Sequence, residues 1–324
     1  MRKAEGSEDM SKKTELTASI GDQTFRLLTL LMAISVLVLM VWMGWQMYDS
    51  ALPSIQKFGF SFITGRVWDP VKEQFGALPF IYGTLVTSLL ALLIATPIGL
   101  GVAIFLNEMA ASKVRVVVAF LVEMLAAIPS VVYGLWGIFV LAPWLRETVE
   151  PGLAKWFGFI PLFQGTPAGF GMLAGGLILA VMILPTIAAI SGEVMAAVPN
   201  AQREAALALG ATKWEMIRLA VLPYAKSGIL GGIMLGLGRA LGETMAVTML
   251  IGNRPDILPS LFAPAYSMAA VIANEFTEAT YALYLSALVE IGLILFGITL
   301  ILNVFARFLV WSVARGPKGG TSNE

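Results

Sequence analysis

The chain alternates between long apolar blocks and short polar interludes. Six blocks reach the length of about 20 residues that a helix needs to cross the hydrocarbon core of a bilayer. They lie at roughly 26–48, 78–106, 117–145, 168–192, 227–252 and 280–305. The pattern predicts an all-α integral membrane protein with six transmembrane helices. The first block contains 22 residues without a charge, Leu27 to Tyr48. It is longer than a signal-peptide core and ends without a small-x-small cleavage pattern, so it is expected to be retained as a span. Residues 1–25 read as a polar cytoplasmic tail, 26–310 as the transmembrane domain and 311–324 as a second cytoplasmic tail.

A seventh block, 257–274 (ILPSLFAPAYSMAAVIAN), has 18 residues and carries Pro259 and Pro264. Charge argues against its crossing. With six spans, the basic residues of the N-terminal tail through Arg26 fall inside, as do Lys113, Arg115, Arg203, Lys213, Arg218, Lys226, Arg307, Arg315 and Lys318. Only Lys57, Arg66, Lys72, Arg146, Lys155 and Arg254 fall outside. Cytoplasmic loops carry the Lys/Arg excess, and a seventh span would export the basic C-terminal tail. Both termini are therefore expected to be cytoplasmic, with 257–274 an extracytoplasmic or partly re-entrant segment packed against protein.

Two blocks carry interruptions. In the third, Pro129 of "AAIPSVVYG" removes a backbone donor and Gly134 follows closely, which predicts a kink or a broken helix. The fifth opens with Gly228, Gly232 and Gly236 at four-residue spacing, and Gly238 and Gly242 repeat it. Small residues at that interval let helix backbones approach closely in lipid, either within one chain or at a pore or subunit interface.

Composition agrees with a membrane protein: 58% of residues are hydrophobic and 13% are charged, against about a quarter charged in soluble domains. The chain has no Cys and no His. Thiol chemistry, disulfides, zinc or haem sites and histidine proton relays are thereby excluded. No G-x-x-x-x-G-K-[ST] occurs, so any ATP chemistry has to come from another subunit.

The longest polar interlude in the second half is "NAQREAALALGATKWEMIRLAVLP", residues 200–223. Asn200 after Pro199 predicts an N-cap for a helix over 201–209, Gly210 its left-handed end, and Thr212 with Glu215 a capping box opening a second helix to about Leu222. Arg203, Glu204, Lys213 and Arg218 are expected to keep this pair wet, while Ala205, Ala206, Leu207 and Trp214 offer an apolar surface. A lone loop of this kind also suits an amphipathic helix on lipid headgroups. The full string, however, resembles the EAA loop of ABC-importer permeases, matched by Glu204, Ala205, Ala206, Gly210, Leu222 and Pro223; Ala220 stands where that family usually has Ile. The resemblance implies that loop 199–223, Trp214 included, docks on an ATP-hydrolysing subunit and transmits its motion.

The likeness extends over most of 60–310. "WDPVKEQFGALPFIYGTLVTSLLALLIATPIGLGVAIFLNE", "IPSVVYGLWGIFVLAPWL", "RALGETMAVTMLIGN" and "LFAPAYSMAAVIANEF" resemble the C-type permease subunit of phosphate-specific ABC importers, the Pst system. The resemblance implies a type I, MetI-like permease fold in a bacterial cytoplasmic (inner) membrane. It also implies a heterodimer with an A-type permease, two ATP-binding subunits and an extracytoplasmic phosphate-binding protein. The chain itself would be non-catalytic and without cofactor, ATP and Mg being bound by the partner ATPase. Membrane lipid is its surroundings, and no nucleic-acid partner is implied.

Four charges lie inside apolar blocks: Glu123, Arg239, Glu243 and Glu290. Each costs a few kcal/mol if it faces lipid, so each is expected to face protein or water. Arg239 and Glu243 stand one turn apart, as either a neutralised pair holding spans together or a translocation site. In the second case Arg239 offers guanidinium donors to a passing phosphate and Glu243 holds it. Glu123 and Glu290 are expected to be structural charges that hydrogen-bond between spans. One positive against three negative charges is a poor setting for a standing anion site, which points to a brief, low-affinity passage. The alternatives are a permease for another oxyanion, such as molybdate or sulfate, and a proton-coupled secondary transporter using the carboxylates. A membrane-embedded enzyme is disfavoured, because no nucleophile–base or metal constellation is visible.

Overall fold

A computed structural model describes the backbone of residues 2–314 and the side chains of residues 22–312. The described chain is helical, with no strand beyond two isolated bridges. It divides into two compact units, one ending at Ser50 and one beginning at Ala51. The first unit lies within helix α1 (Arg2–Phe58). Its side chains from residue 22 onward are almost all exposed, including Leu37, Val41, Trp42 and Trp45, which suits a helix surrounded by lipid. The polar residues before residue 22 continue the same backbone helix rather than forming a separate element.

The second unit is built on α2 (Leu78–Ile104), α3 (Ser112–Ala127), α4 (Ser130–Trp136) and α5 (Met172–Ala196). After it come α6 (Asn200–Ala208), α7 (Lys213–Met216), α8 (Leu222–Leu241), α9 (Met245–Leu250), α10 (Met268–Glu275) and α11 (Ala282–Ala314), while shorter helices at Ser61–Thr64, Ala142–Trp144 and Glu150–Phe157 lie in the connections. Among the described residues five helical segments are long and apolar enough to cross a membrane, and α3 with the helix that follows it makes a sixth, bent by 94°. Six spans were expected, and six are present when the bent pair counts as one.

The third apolar block thus breaks at Ile128–Pro129, and the reason lies in backbone pairing. Pro129 has no N–H to give the Leu125 carbonyl. The Tyr133 hydroxyl, arriving from the next helix, donates to that carbonyl at 2.7 Å and so satisfies the break internally. The fifth block differs from the expected single run over 227–252. Its helix ends at Leu241, and α9 starts afresh at Met245 after Gly242, Glu243 and Thr244.

Helix α5 is the hub, and two-thirds of its apolar window is buried. It packs on α2, α3, α8 and α9. Gly228, Gly232 and Gly236 bring α8 against Val194, Ile190 and Ile187 of α5, so this glycine stripe serves packing within the chain. Gly238 has open space before it and belongs to no such contact.

Segment 257–274 is packed against protein, as expected. Leu261, Phe262 and Ala265 are buried in the central core, and Tyr266, Met268, Ala270 and Val271 enter a second cluster with Phe62, Phe80 and Tyr284. Glu275 closes that cluster by accepting from Trp68 Nε1 at 2.8 Å and from the Tyr284 hydroxyl at 2.6 Å. The α2 backbone approaches the Tyr266 carbonyl at Gly83, where a Cβ would overlap the oxygen. Gly83→Ala is therefore expected to cost about 1–3 kcal/mol by forcing backbone apart, read as a lower unfolding temperature in detergent. An unchanged temperature would mean that the contact is loose.

Candidate functional site

The interlude at 199–223 is a preformed bracket. Helix α6 ends in a Schellman motif: Gly210 takes φ +86°, its N–H donates to the Leu207 carbonyl, and the Ala211 N–H donates to the Ala206 carbonyl. The capping box at α7 is complete, with Thr212 Oγ1 accepting from the Glu215 N–H and Glu215 Oε2 accepting from the Thr212 N–H at 2.8 Å. Asn200 is not the cap that was expected. It is the first helical residue, Pro199 holds the cap position, and its side-chain oxygen accepts from Arg203 instead. Nor does the second helix stop at Pro223. It passes through a π turn, Ile217–Val221, into α8. The wider turn lets the Leu222 N–H reach the Ile217 carbonyl just ahead of the proline, which can donate nothing and would crowd a tighter ladder.

One face of the bracket is built into the protein and the other is bare. Ala206 and Leu222 pack on a core of Met195, Val198, Met216, Ile217 and Val221, where the ends of α5 and α8 meet. Glu204, Ala205, Gly210 and Pro223 are exposed. Leu207 is also exposed, Leu209 is 90% exposed and Trp214 60%. Arg203 is not wet as expected. It turns inward and pairs with Glu108 at 2.7 Å, the two side chains being 16% and 5% exposed. Sequence reasoning missed this pair because Glu108 stands just beyond the second apolar block, 95 positions from its partner.

The charges of the fifth block sit at the helix break. Arg239 lies in the last turn of α8, and Glu243 precedes α9, where its Oε1 accepts from the Ala246 N–H at 3.3 Å. Each charge therefore meets the end of a helix dipole of opposite sign. They do not form the expected pair on one helix face, because the helix that would carry both ends at Leu241, and no ion pair joins them among the described residues. The Arg239 guanidinium is exposed and touches Thr186 Oγ1 of α5 at 3.5 Å, near Tyr133 at the other break. The two breaks are held together where α4 crosses α9, Gly134 and Gly137 leaving room only for Met249 and Leu250.

Glu123 lies exposed on α3, a helix with no buried residue, and accepts no hydrogen bond from the described side chains of this chain. The interspan bond expected for it is absent within the subunit. Glu290 is buried on α11 beside the Ser54 hydroxyl, and Glu290 Oε2 and Ser54 Oγ make no well-formed hydrogen bond among the described residues. A further carboxylate that the sequence did not single out, Glu150, is fully buried and accepts from the Gly169 N–H at 3.0 Å. At the end of α5 opposite the bracket lies a cavity of about 600 Å³ between residues 161–168 and 254–264. Its polar lining includes Arg254, Gln164, Thr166 and Ser260. No described group of three or more His, Cys, Asp or Glu is arranged to hold a metal.

Comparison with known proteins agrees with this architecture. Residues 95–315 match the family "Binding-protein-dependent transport system inner membrane component". The chain is 48% identical over 299 residues to the phosphate transport system permease protein PstC of Mesorhizobium japonicum, covering 91% of each chain. It is 47% identical to the PstC of Pasteurella multocida, over 94% of this chain and 96% of that one. Among solved structures, the inward-facing MetNI methionine ABC transporter gives a TM-score of 0.54 at 20% identity, over 72% of this chain and 94% of that one. A bacterial alginate ABC importer gives 0.53 at 19% identity, over 85% and 98%. At such identities these last two speak for the fold, which is that of ABC-importer permeases. The chain therefore belongs to the family of inner membrane components of binding-protein-dependent transport systems, among the permeases named PstC.

Proposed function

We propose that this chain is one of two permease subunits of an ATP-driven importer of inorganic phosphate. Its relatives carry that substrate in their names, and the observation that supports the mechanism is the bracket at 199–223. The Schellman turn that ends α6 and the capping box that opens α7 form without help from another chain, the bracket is seated on a core of its own, and its bare face presents Glu204, Leu207, Leu209 and Trp214. A surface already ordered before binding loses little conformational entropy when a partner docks. The partner is a nucleotide-hydrolysing subunit that holds ATP and Mg, one copy for each permease, and this chain contributes no catalysis. Both termini and the bracket face the cytoplasm of a bacterial inner membrane.

Phosphate enters from an extracytoplasmic binding protein at the far end of α5, where Arg254 lines the open cavity. It then passes between this chain and an A-type permease. Arg239 offers a fork of donors at the break between α8 and α9, while Glu243 stays engaged at the start of α9 and does not neutralise it. Exposed Glu123 faces either the second permease or the passage, because a carboxylate left in hydrocarbon would cost several kcal/mol. With carboxylates nearby, the passage binds phosphate weakly, and selectivity rests with the binding protein.

The test is to purify the tagged chain with its partners, reconstitute the assembly in proteoliposomes and measure labelled phosphate uptake with ATP inside. Uptake is expected to require ATP and the binding protein and to persist when the proton gradient is collapsed. Uptake driven by the gradient alone would mean a secondary transporter. Competition by molybdate or sulfate, with phosphate inert, would reassign the substrate.

A further inference from the structure

We propose that Arg203 and Glu108 act as a positioning pair that makes the bracket and two spans move as one body. The inference rests on the reading of 199–223 as the docking face for an ATPase, and adds how force would leave that face. The guanidinium of Arg203 has five N–H donors, and every one has an acceptor. Nε reaches both Glu108 oxygens at 3.3 Å. Nη2 donates to Glu108 Oε1 at 2.7 Å and to the Met195 carbonyl at 2.8 Å. Nη1 donates to the Val198 carbonyl and to Asn200 Oδ1.

These bonds join three elements that the covalent chain links only loosely. Glu108 belongs to the π turn Phe105–Met109 that ends α2, the Met195 carbonyl to the last turn of α5 and that of Val198 to the connector just after it, and Arg203 belongs to α6. Carbonyls at a helix C-terminus lack intrahelical partners, and a cation there is favoured by the dipole as well. The connector between α5 and α6 is three residues, Ala197–Pro199, and the far side of α6 is the unpacked corner at Gly210. With the fork removed, α6 would rest on the underlying core through Ala206 and on its neighbours within the bracket, α7 and the π turn Ile217–Val221, with no polar tie to α2 or α5. Helix α6 could then shift against the ends of α2 and α5 while the spans stayed still. Because both side chains are largely buried, the pair is held firmly and screened little by salt. Lysine would keep the charge but not the fork, so it could not serve all three elements together.

The reconstituted assembly provides the test, with phosphate transported per ATP hydrolysed as the readout. Arg203→Lys and Glu108→Gln are each expected to lower that ratio about tenfold, within the usual range of coupling effects, while the ATPase still copurifies and hydrolyses near the wild-type rate. A ratio that stays at the wild-type value overturns the proposal. So does a parallel fall of uptake and hydrolysis, which would indicate weaker docking, and so does failure of both variants to assemble, which would make the pair a folding element. If the wild-type chain carries no ATPase at all, the docking reading falls together with this one; an unchanged ratio with ATPase bound removes only this one.

Discussion

Arg239→Gln is expected to reduce phosphate uptake about 10- to 100-fold, the loss of one or two charge-assisted hydrogen bonds of about 1.5–3 kcal/mol each at the limiting step. Assembly and unfolding temperature should stay near wild type. The separation of the two effects follows from the surroundings of the side chain. Its guanidinium is exposed, its one hydrogen bond is a long contact to Thr186, and Glu243 is engaged with the start of α9. Removing the charge therefore strands no buried partner. Arg239→Lys should recover only part of the uptake, since an ammonium cannot present two parallel donors. Counting copurified subunits against uptake checks the prediction. If the complex falls apart instead, Arg239 pairs across the subunit interface and does not serve the passage.

The second large effect is expected at Gly210. Its φ of +86° is strongly unfavourable for a β-branched residue, while a Cβ there would meet nothing within 4 Å. Gly210→Val thus acts through the backbone alone, at a cost of about 1–3 kcal/mol that the loop can escape by unwinding the Schellman turn. The docking face would then lose the fixed angle between α6 and α7. ATP-dependent uptake should fall at least about tenfold, with the spans as stable as before. Gly210→Asn is the control, because asparagine tolerates the left-handed region and should retain most activity. Equal loss in both variants would mean that the corner needs glycine for room at a partner surface, not for its φ.

The apolar blocks, the break at Pro129 and the bracket could all be read in one dimension, and for a common reason. Hydrocarbon thickness sets the length of a span, a proline removes a particular backbone donor, and caps depend on residues only a few positions apart. These are local constraints, visible as composition and spacing. Arg239 and Glu243 could likewise be picked out as isolated charges in apolar sequence. Their relation to each other was misjudged, because a run such as "RALGETMAV" does not say whether the helix continues through Gly242. It ends there, since Glu243 can serve the amides of a new helix.

What the sequence by itself determined, then, is the class of the molecule: a helical membrane protein with six apolar blocks of spanning length, with no Cys and no His, carrying a pair of short helices between its fourth and fifth spans. Tertiary structure decided which span became the buried hub, which glycines face α5 and which face open space, and which charges meet. Hydropathy is nearly the same for α2, α5 and α11, because lipid and protein core are equally apolar solvents, so burial leaves no mark on composition. The Arg203–Glu108 pair, 95 positions apart, exists only because α2 and α5 end at the same level beneath the bracket.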